Sequence, residues 1–107
     1  MPEEKQTAWT ATKDTAAGAA VIEGEVDFTN SLEVRQWLKE YCAQTQGEVK
    51  LDLSKLSYID SSGLALFIEA RKRLAESGRT IRIADISPQV GKIFNLTQLG
   101  ELFGLPE

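Results

Sequence analysis

The chain has 107 residues, a formal net charge of −4 and no histidine. Its 42% hydrophobic and 26% charged residues are close to globular averages, which argues against global disorder and predicts one domain over residues 1–107. The acidic balance argues against nucleic-acid binding, because phosphates need a basic face, and the lack of histidine removes Ser-His and Cys-His nucleophile pairs and histidine metal ligands.

Cysteine usage and hydropathy indicate the compartment. Cys42 is the single cysteine, so it cannot form an internal disulfide, which suits a reducing cytoplasm. No apolar run approaches the ~20 residues of a membrane span, and the sequence from Met1 to Glu4 is not typical of a signal peptide. We therefore expect a cytoplasmic protein without direct membrane insertion.

Two strands are predicted at the start of the chain. Residues 1–18 form an edge strand at Ala8–Ala11, in which Trp9 anchors the segment against the sheet, or a partly mobile N-terminal segment. Ala19–Glu23 is typical of a short buried strand, and Gly24 is expected to end it.

The first helix follows a polar connection. Asn30 is a good N-cap, and Glu33 stands three residues later as its capping partner. An apolar stripe at helical spacing then predicts an amphipathic helix of about three turns, formed by Val34, Trp37, Leu38, Tyr41 and Cys42. Gly47 ends this segment.

The middle of the chain predicts a strand and a strongly apolar helix. Val49–Leu53 alternates apolar and polar residues, which is a strand pattern, and residues 54–59 are expected to form a connector. The sequence from Asp60 to Gly63 then opens the helix, and Gly78 is a suitable residue to follow its end.

The C-terminal part predicts one further strand and short helices. Thr80–Ala84 alternates again. Ser87 is a good N-cap and Pro88 suits the first helical position of a short helix that runs through Phe94. Residues 95–103 carry a last helical turn or two.

This order of elements predicts an α/β fold with packed helices and a mostly parallel four-stranded sheet that has an antiparallel edge strand. Functional sites in such sheets lie outside the carboxyl ends of the strands. Three strand-to-helix connections meet there, and they would bring together Asp27, Asp60, Ser61, Ser62 and Asp85.

The tetrapeptide from Asp60 to Gly63 has two interpretations. Aspartate and serine are common helix N-caps, so the segment can be purely structural. Alternatively, a serine at a helix N-terminus is a phosphorylation site, because free amides and the positive end of the helix dipole suit a phosphate. Asp60 opposes this by like-charge repulsion. The two interpretations are compatible, with one serine capping and the other facing the solvent.

The acidic residues of this edge also have alternatives. Glu25 and Asp27 can belong to a solvated loop near a helix N-terminus. Asp27, Asp60 and Asp85 together suggest a Mg²⁺ site of the receiver type. That hypothesis is disfavoured, because such domains need paired acids after the first strand and a lysine after a fifth strand.

No catalytic residue set is recognisable. Cys42 lies on the apolar stripe and is interpreted as a core residue. The sequence has no glycine-rich phosphate-binding loop and no pair of metal-ligating cysteines. We therefore expect a protein that is not an enzyme and has no cofactor or metal.

Three motifs resemble one known family. The stretch from Leu51 to Phe67, with Asp60-Ser61-Ser62-Gly63 inside it, resembles the signature of STAS domains, the anti-sigma factor antagonists and their relatives. The sequence Gly24-Glu25-Val26-Asp27 is similar to the Gly-Glu-Leu-Asp element of that family, and the stretch from Ile86 to Leu99 resembles its C-terminal helices. Gln98 is a departure, since the family usually has glycine there.

The resemblance implies a function. In the antagonist subfamily the serine at the position of Ser61 is phosphorylated by an anti-sigma factor that is also a serine kinase of the ATP-binding type, and phosphorylation releases the antagonist from it. The implied partner-binding residues are Glu25, Asp27, Asp60, Ser61, Ser62 and Gly63. The alternative is a cytosolic STAS subunit of a lipid-trafficking ABC transporter, which docks on the ATPase subunit.

Overall fold

The computed structural model describes residues 8–105, so the part of the predicted N-terminal segment that covers residues 1–7 lies outside the described residues. The elements in chain order are β1 (Trp9–Asp14), β2 (Ala19–Val26), α1 (Ser31–Gln44), β3 (Val49–Leu53), β4 (Leu56–Ile59), α2 (Ser61–Ala75), β5 (Ile81–Ile86), α3 (Pro88–Leu96) and a 3₁₀-helix (Gly100–Phe103).

The strands form one mixed sheet in the order β1-β2-β3-β5, and β4 pairs with β2 outside this path. Strand β1 is antiparallel to β2, while β3 and β4 both run parallel to β2 and β5 runs parallel to β3. The predicted α/β class and the antiparallel edge strand are therefore confirmed.

Strand β4 corrects the prediction of a connector at residues 54–59. Leu56 and Ile59 are buried while the two residues between them are exposed, so this strand lacks the alternation that identified β3. Its position is fixed by tertiary hydrogen bonds, because the hydroxyl of Ser87 donates to the carbonyl of Leu56 at 2.6 Å. The sheet consequently has five strands in the described part of the chain.

Gly24 does not end β2 as predicted, since the strand continues to Val26. Gly24 lies opposite Leu56 of β4 and Glu25 lies opposite Tyr58, so the register shifts here and Ser57 is the extra residue of a β-bulge in β4. The φ of Gly24 is +97°, and a Cβ at this position would lie 2.2 Å from the carbonyl oxygen of Ala8. Only glycine fits both conditions.

The core lies between the helices and one face of the sheet. Along β3, most of β2 and the first half of β5, buried residues alternate with more exposed ones, and the buried set joins a single cluster with the helices. The predicted stripe of α1 is confirmed, because Val34, Leu38, Tyr41 and Cys42 are buried. Trp37 is partly buried and stacks on Tyr41 with 5.6 Å between ring centroids.

Two smaller predictions, on Trp9 and on the start of α3, are confirmed. Trp9 is packed edge-on against Trp37 with 6.4 Å between the rings, so it anchors β1 as expected. The side chain of Ser87 accepts a hydrogen bond from the amide of Val90, and Pro88 stands in the first turn of α3. None of the helices found in residues 8–105 is long and apolar enough to cross a membrane.

Candidate functional site

Parallel pairing of β2 with β4 brings two distant segments together. Val26 and Ile59 are register partners at the ends of these strands, so Asp27 and Asp60 leave neighbouring strands at the same edge of the sheet. The amide of Asp60 donates to the carbonyl of Val26 at 3.3 Å. The predicted meeting of Asp27 with the start of α2 is therefore confirmed.

The carboxylate of Asp60 connects these two segments. Its Oδ1 atom accepts from the amides of Ser62 at 2.9 Å and Gly63 at 3.2 Å. Its Oδ2 atom accepts from the amide of Phe28 at 3.1 Å. Asp60 is therefore the N-cap of α2, and the idea that one of the serines caps the helix is wrong.

The site loop, residues 27–30, is held by an asparagine. The Oδ1 atom of Asn30 accepts from the amide of Asp27 at 3.0 Å, and its Nδ2 atom donates to the carbonyl of Glu25 at 2.9 Å. Asn30 precedes α1 but makes no capping hydrogen bond. The predicted capping box is wrong, because both polar groups of Asn30 serve the loop and Glu33 accepts from the indole of Trp9 at 3.2 Å.

Asp27 forms its own turn at the start of this loop. Its Oδ1 atom accepts hydrogen bonds from the hydroxyl and, at 2.9 Å, from the amide of Thr29. These bonds favour the charged carboxylate, and they lower the pKa of Asp27 below its usual value. Asp27 is consequently ionised at neutral pH, next to the exposed Glu25.

The three residues after Asp60 have different environments. Ser61 is exposed and begins α2, Ser62 is half-buried, and Gly63 is buried. A Cβ on Gly63 would lie 2.5 Å from Cγ1 of Ile59 and 3.0 Å from Cγ1 of Val26. Gly63 therefore lets α2 pack closely on the sheet, while Ser61 presents its hydroxyl to the solvent.

Asp85 lies apart from this site, which corrects its predicted place. It is within β5, opposite Asp52 in the parallel register with β3, and its carboxylate accepts from the amide of Ile86 at 2.9 Å. Strand β5 pairs with β3 and not with β4, so it ends before the point where Asp60 leaves the sheet. Across residues 8–105 no cluster of three His, Cys, Asp or Glu residues could hold a metal ion.

Two exposed apolar residues of this site were missed by the sequence analysis. Phe28 is 75% exposed and Leu32 is 77% exposed, although most large apolar residues of the protein are buried. Leu32 lies outside the apolar stripe of α1, and Phe28 precedes the helix. Neither residue fits a periodic apolar pattern, and this was the sign in the sequence that they do not belong to the core.

The two segments that build the site are acidic. Residues 19–34 contain four acidic residues, and residues 56–70 contain two, while neither segment contains lysine or arginine. The flanking Arg35 is paired with Glu69 of α2, with its Nε atom 2.9 Å from Oε1. The exposed apolar residues therefore lie within a negatively charged region of the surface.

Comparison with known proteins agrees with this architecture. A family model described as the STAS domain matches residues 9–106. The anti-sigma-B factor antagonist of Staphylococcus epidermidis is 29% identical over 86 residues, which cover 80% of each chain.

Solved structures show the same fold. An anti-sigma factor antagonist from Mycobacterium paratuberculosis superimposes with a TM-score of 0.77 at 21% identity, covering 91% of this chain and 84% of that one. The Bacillus protein SpoIIAA in its phosphorylated form gives a TM-score of 0.65 at 21% identity, covering 94% and 92%. The resemblance found in the sequence is confirmed, and the chain belongs to the STAS domain family.

Proposed function

We propose that this protein is a cytoplasmic anti-sigma factor antagonist, a regulatory binding module that is not an enzyme and whose residues 1–107 form one STAS domain. Ser61 is its phosphorylation site. The observation that carries this proposal is the exposed hydroxyl of Ser61 at the first position of α2, beside the N-cap Asp60 and the ionised Asp27. The names of its relatives support the same function.

The proposed partner is an anti-sigma factor that is also a serine kinase of the ATP-binding type. It docks on a surface that we call the docking face, formed by Glu25, Asp27, Asp60, Ser61 and Ser62, with Gly63 packed beneath it. Ser61 is accessible to a kinase active site without unfolding of α2, because its side chain is not part of the helix cap.

Phosphorylation would change the docking face by electrostatics. A phosphate adds about −1.5 to −2 charges at neutral pH, in a region that already holds Asp60 and Asp27. The positive end of the α2 dipole favours this charge, so the fold is expected to persist. A partner surface that is complementary to an uncharged serine would have to bury the phosphate without a cationic group opposite it. Removing that charge from water costs free energy. Binding weakens, and the partner returns to its sigma factor.

The test is phosphorylation and binding with the purified ATP-binding anti-sigma kinases of the source genome. Mass spectrometry should locate phosphate on Ser61. Ser61→Ala should bind without being modified, and Ser61→Asp should weaken binding in calorimetry by about 100-fold or more. Ser77→Ala is the matched control, because Ser77 is an exposed serine beyond the other end of α2, and it should be phosphorylated like the wild type.

One result would contradict the proposed switch. If Ser61→Asp binds as tightly as the wild type while a variant of the site loop loses binding, docking is not controlled by phosphate. Docking on an ABC transporter ATPase, with no phosphorylation, would then be the better account of the same face.

A further inference from the structure

Phe28 lies in the site loop and Leu32 follows shortly after it, and both are among the most exposed large apolar residues of the described chain. They stand four positions apart across the start of α1, at 75% and 77% exposure. Burying such side chains on association is favourable, because apolar surface is removed from water. Aromatic and aliphatic residues that enter a partner pocket commonly carry most of the binding energy.

The backbone beneath Phe28 is fixed before any partner binds. Its amide donates to Oδ2 of Asp60 at 3.1 Å. On either side, the amide of Asp27 donates to Asn30 and the amide of Thr29 donates to Asp27. Three consecutive amides of the site loop are thus bonded to side chains. A loop held in this way loses little entropy on binding, which favours its use as an anchor.

We propose that Phe28 and Leu32 are the apolar anchor of the docking face and insert into an apolar pocket of the anti-sigma kinase. This inference rests on the proposed function. A kinase that reaches Ser61 must approach Asp60, and Asp60 is bonded directly to the backbone of Phe28. The occupant of the Phe28–Leu32 patch is therefore the same protein that modifies Ser61.

Charge indicates the rest of the partner's surface. Glu25 and the ionised Asp27 flank the anchor, and the two segments of the site contain no lysine or arginine. The pocket that receives Phe28 is therefore rimmed by cationic side chains opposite Glu25 and Asp27. Complementary charges of this kind act mainly on the association rate and are weakened by salt.

Asp60 has a second role in this arrangement as a positioning residue. A neutral amide at position 60 has a single oxygen acceptor, so it cannot serve both the helix cap and the amide of Phe28. Asp60→Asn should therefore release either the start of α2 or the site loop. Its effect on partner binding should act through Phe28.

The first experiment measures binding of the phosphorylating kinase, with ADP present, by calorimetry. Phe28→Ala should weaken binding by about 30-fold, and Leu32→Ala by about tenfold. Leu96→Ala is the matched control, because Leu96 is a 76% exposed apolar residue on α3, and it should bind within about twofold of the wild type. Raising the salt concentration should slow association of the wild type.

The second experiment uses steady-state phosphorylation and a double-mutant cycle. Phe28→Ala should raise KM for the antagonist and leave kcat unchanged. This is the result expected when a variant loses a contact that stabilises the bound ground state and the transition state equally. Asp60→Asn should weaken partner binding in the wild-type background. In the Phe28→Ala background, the same substitution should cause little further loss of affinity. Equal effects of Asp60→Asn in both backgrounds would overturn its positioning role.

The outcomes separate the two proposals. If the wild type is phosphorylated and bound but Phe28→Ala and Leu32→Ala behave like Leu96→Ala, the anchor is overturned and the proposed function stands. If no ATP-binding kinase binds or phosphorylates the wild type, the proposed function fails and the anchor fails with it.

Discussion

The carboxylate of Asp60 accepts a hydrogen bond from the amide of Phe28, 32 residues earlier in the chain, at 3.1 Å. The same carboxylate caps α2 through the amides of Ser62 and Gly63. One side chain therefore fixes both the helix that carries the exposed serine and the loop that carries the exposed phenylalanine. These two features of the site cannot move independently while Asp60 keeps its hydrogen bonds to both segments.

We expect Asp60→Ala to destabilise the fold. It removes the N-cap of α2 and leaves the amide of Phe28 without its acceptor, so the free energy of unfolding should fall by about 1–2 kcal/mol in urea denaturation. Ser62→Ala is the control and should change it by no more than about 0.5 kcal/mol, because the hydroxyl of Ser62 makes no cap. Equal losses in the two variants would show that the serine contributes the cap after all.

Gly63→Ala is expected to strain the contact between α2 and the sheet. The new methyl group would meet Ile59 and Val26 at 2.5 and 3.0 Å, and such overpacking typically costs about 1–3 kcal/mol of stability. Thermal and urea unfolding measure this loss. In an Ile59→Ala background the added methyl has space, so the cost of Gly63→Ala should fall there. Strictly additive losses would rule out a steric origin.

The parts of the fold that sequence reasoning predicted correctly depend on local patterns. Strand β3 at Val49–Leu53 and the helix stripe from Val34 to Cys42 show clear periodicities, and these elements form where expected. Strand β4 has four residues without alternation. It exists because β2 and Ser87 provide hydrogen-bond partners, and these are not visible in the local sequence.

The sequence predicted where most site residues lie in the sheet more accurately than it predicted their hydrogen-bond partners. Parallel topology was sufficient to bring Asp27 and Asp60 to one edge, whereas the separation of Asp85 depends on which strands are neighbours. Asn30 and Asp60 are both good N-caps by composition, yet only Asp60 caps a helix. The choice between them is made by long-range partners, such as the carbonyl of Glu25, that composition does not reveal.

Gln98→Gly should stabilise the protein. Gln98 has a φ of +63° in the turn between α3 and the 3₁₀-helix, a conformation that costs a residue with a Cβ roughly 1 kcal/mol relative to glycine. The free energy of unfolding should therefore rise by up to about that amount in urea denaturation. Gln98→Ala keeps the Cβ and should give no such gain. A destabilised Gln98→Gly variant would mean that the glutamine side chain holds this turn.

The ionisation of Asp27 should depend on the hydroxyl of Thr29. That hydroxyl and the amide of Thr29 lower the pKa of Asp27 in the folded state, so the carboxylate contributes stability above its unfolded pKa, and this contribution is lost as the pH falls through the folded pKa. Thr29→Val removes the hydroxyl donor and should raise the pKa of Asp27, measured by following its carboxyl carbon in an NMR titration. Thr29→Ser keeps the donor and should retain the low value. In Thr29→Val the folded pKa of Asp27 lies closer to its unfolded pKa. Lowering the pH below about 4 should therefore reduce the free energy of unfolding less in Thr29→Val than in the wild type. An unchanged titration midpoint of Asp27 in Thr29→Val would show that the amide alone holds the carboxylate.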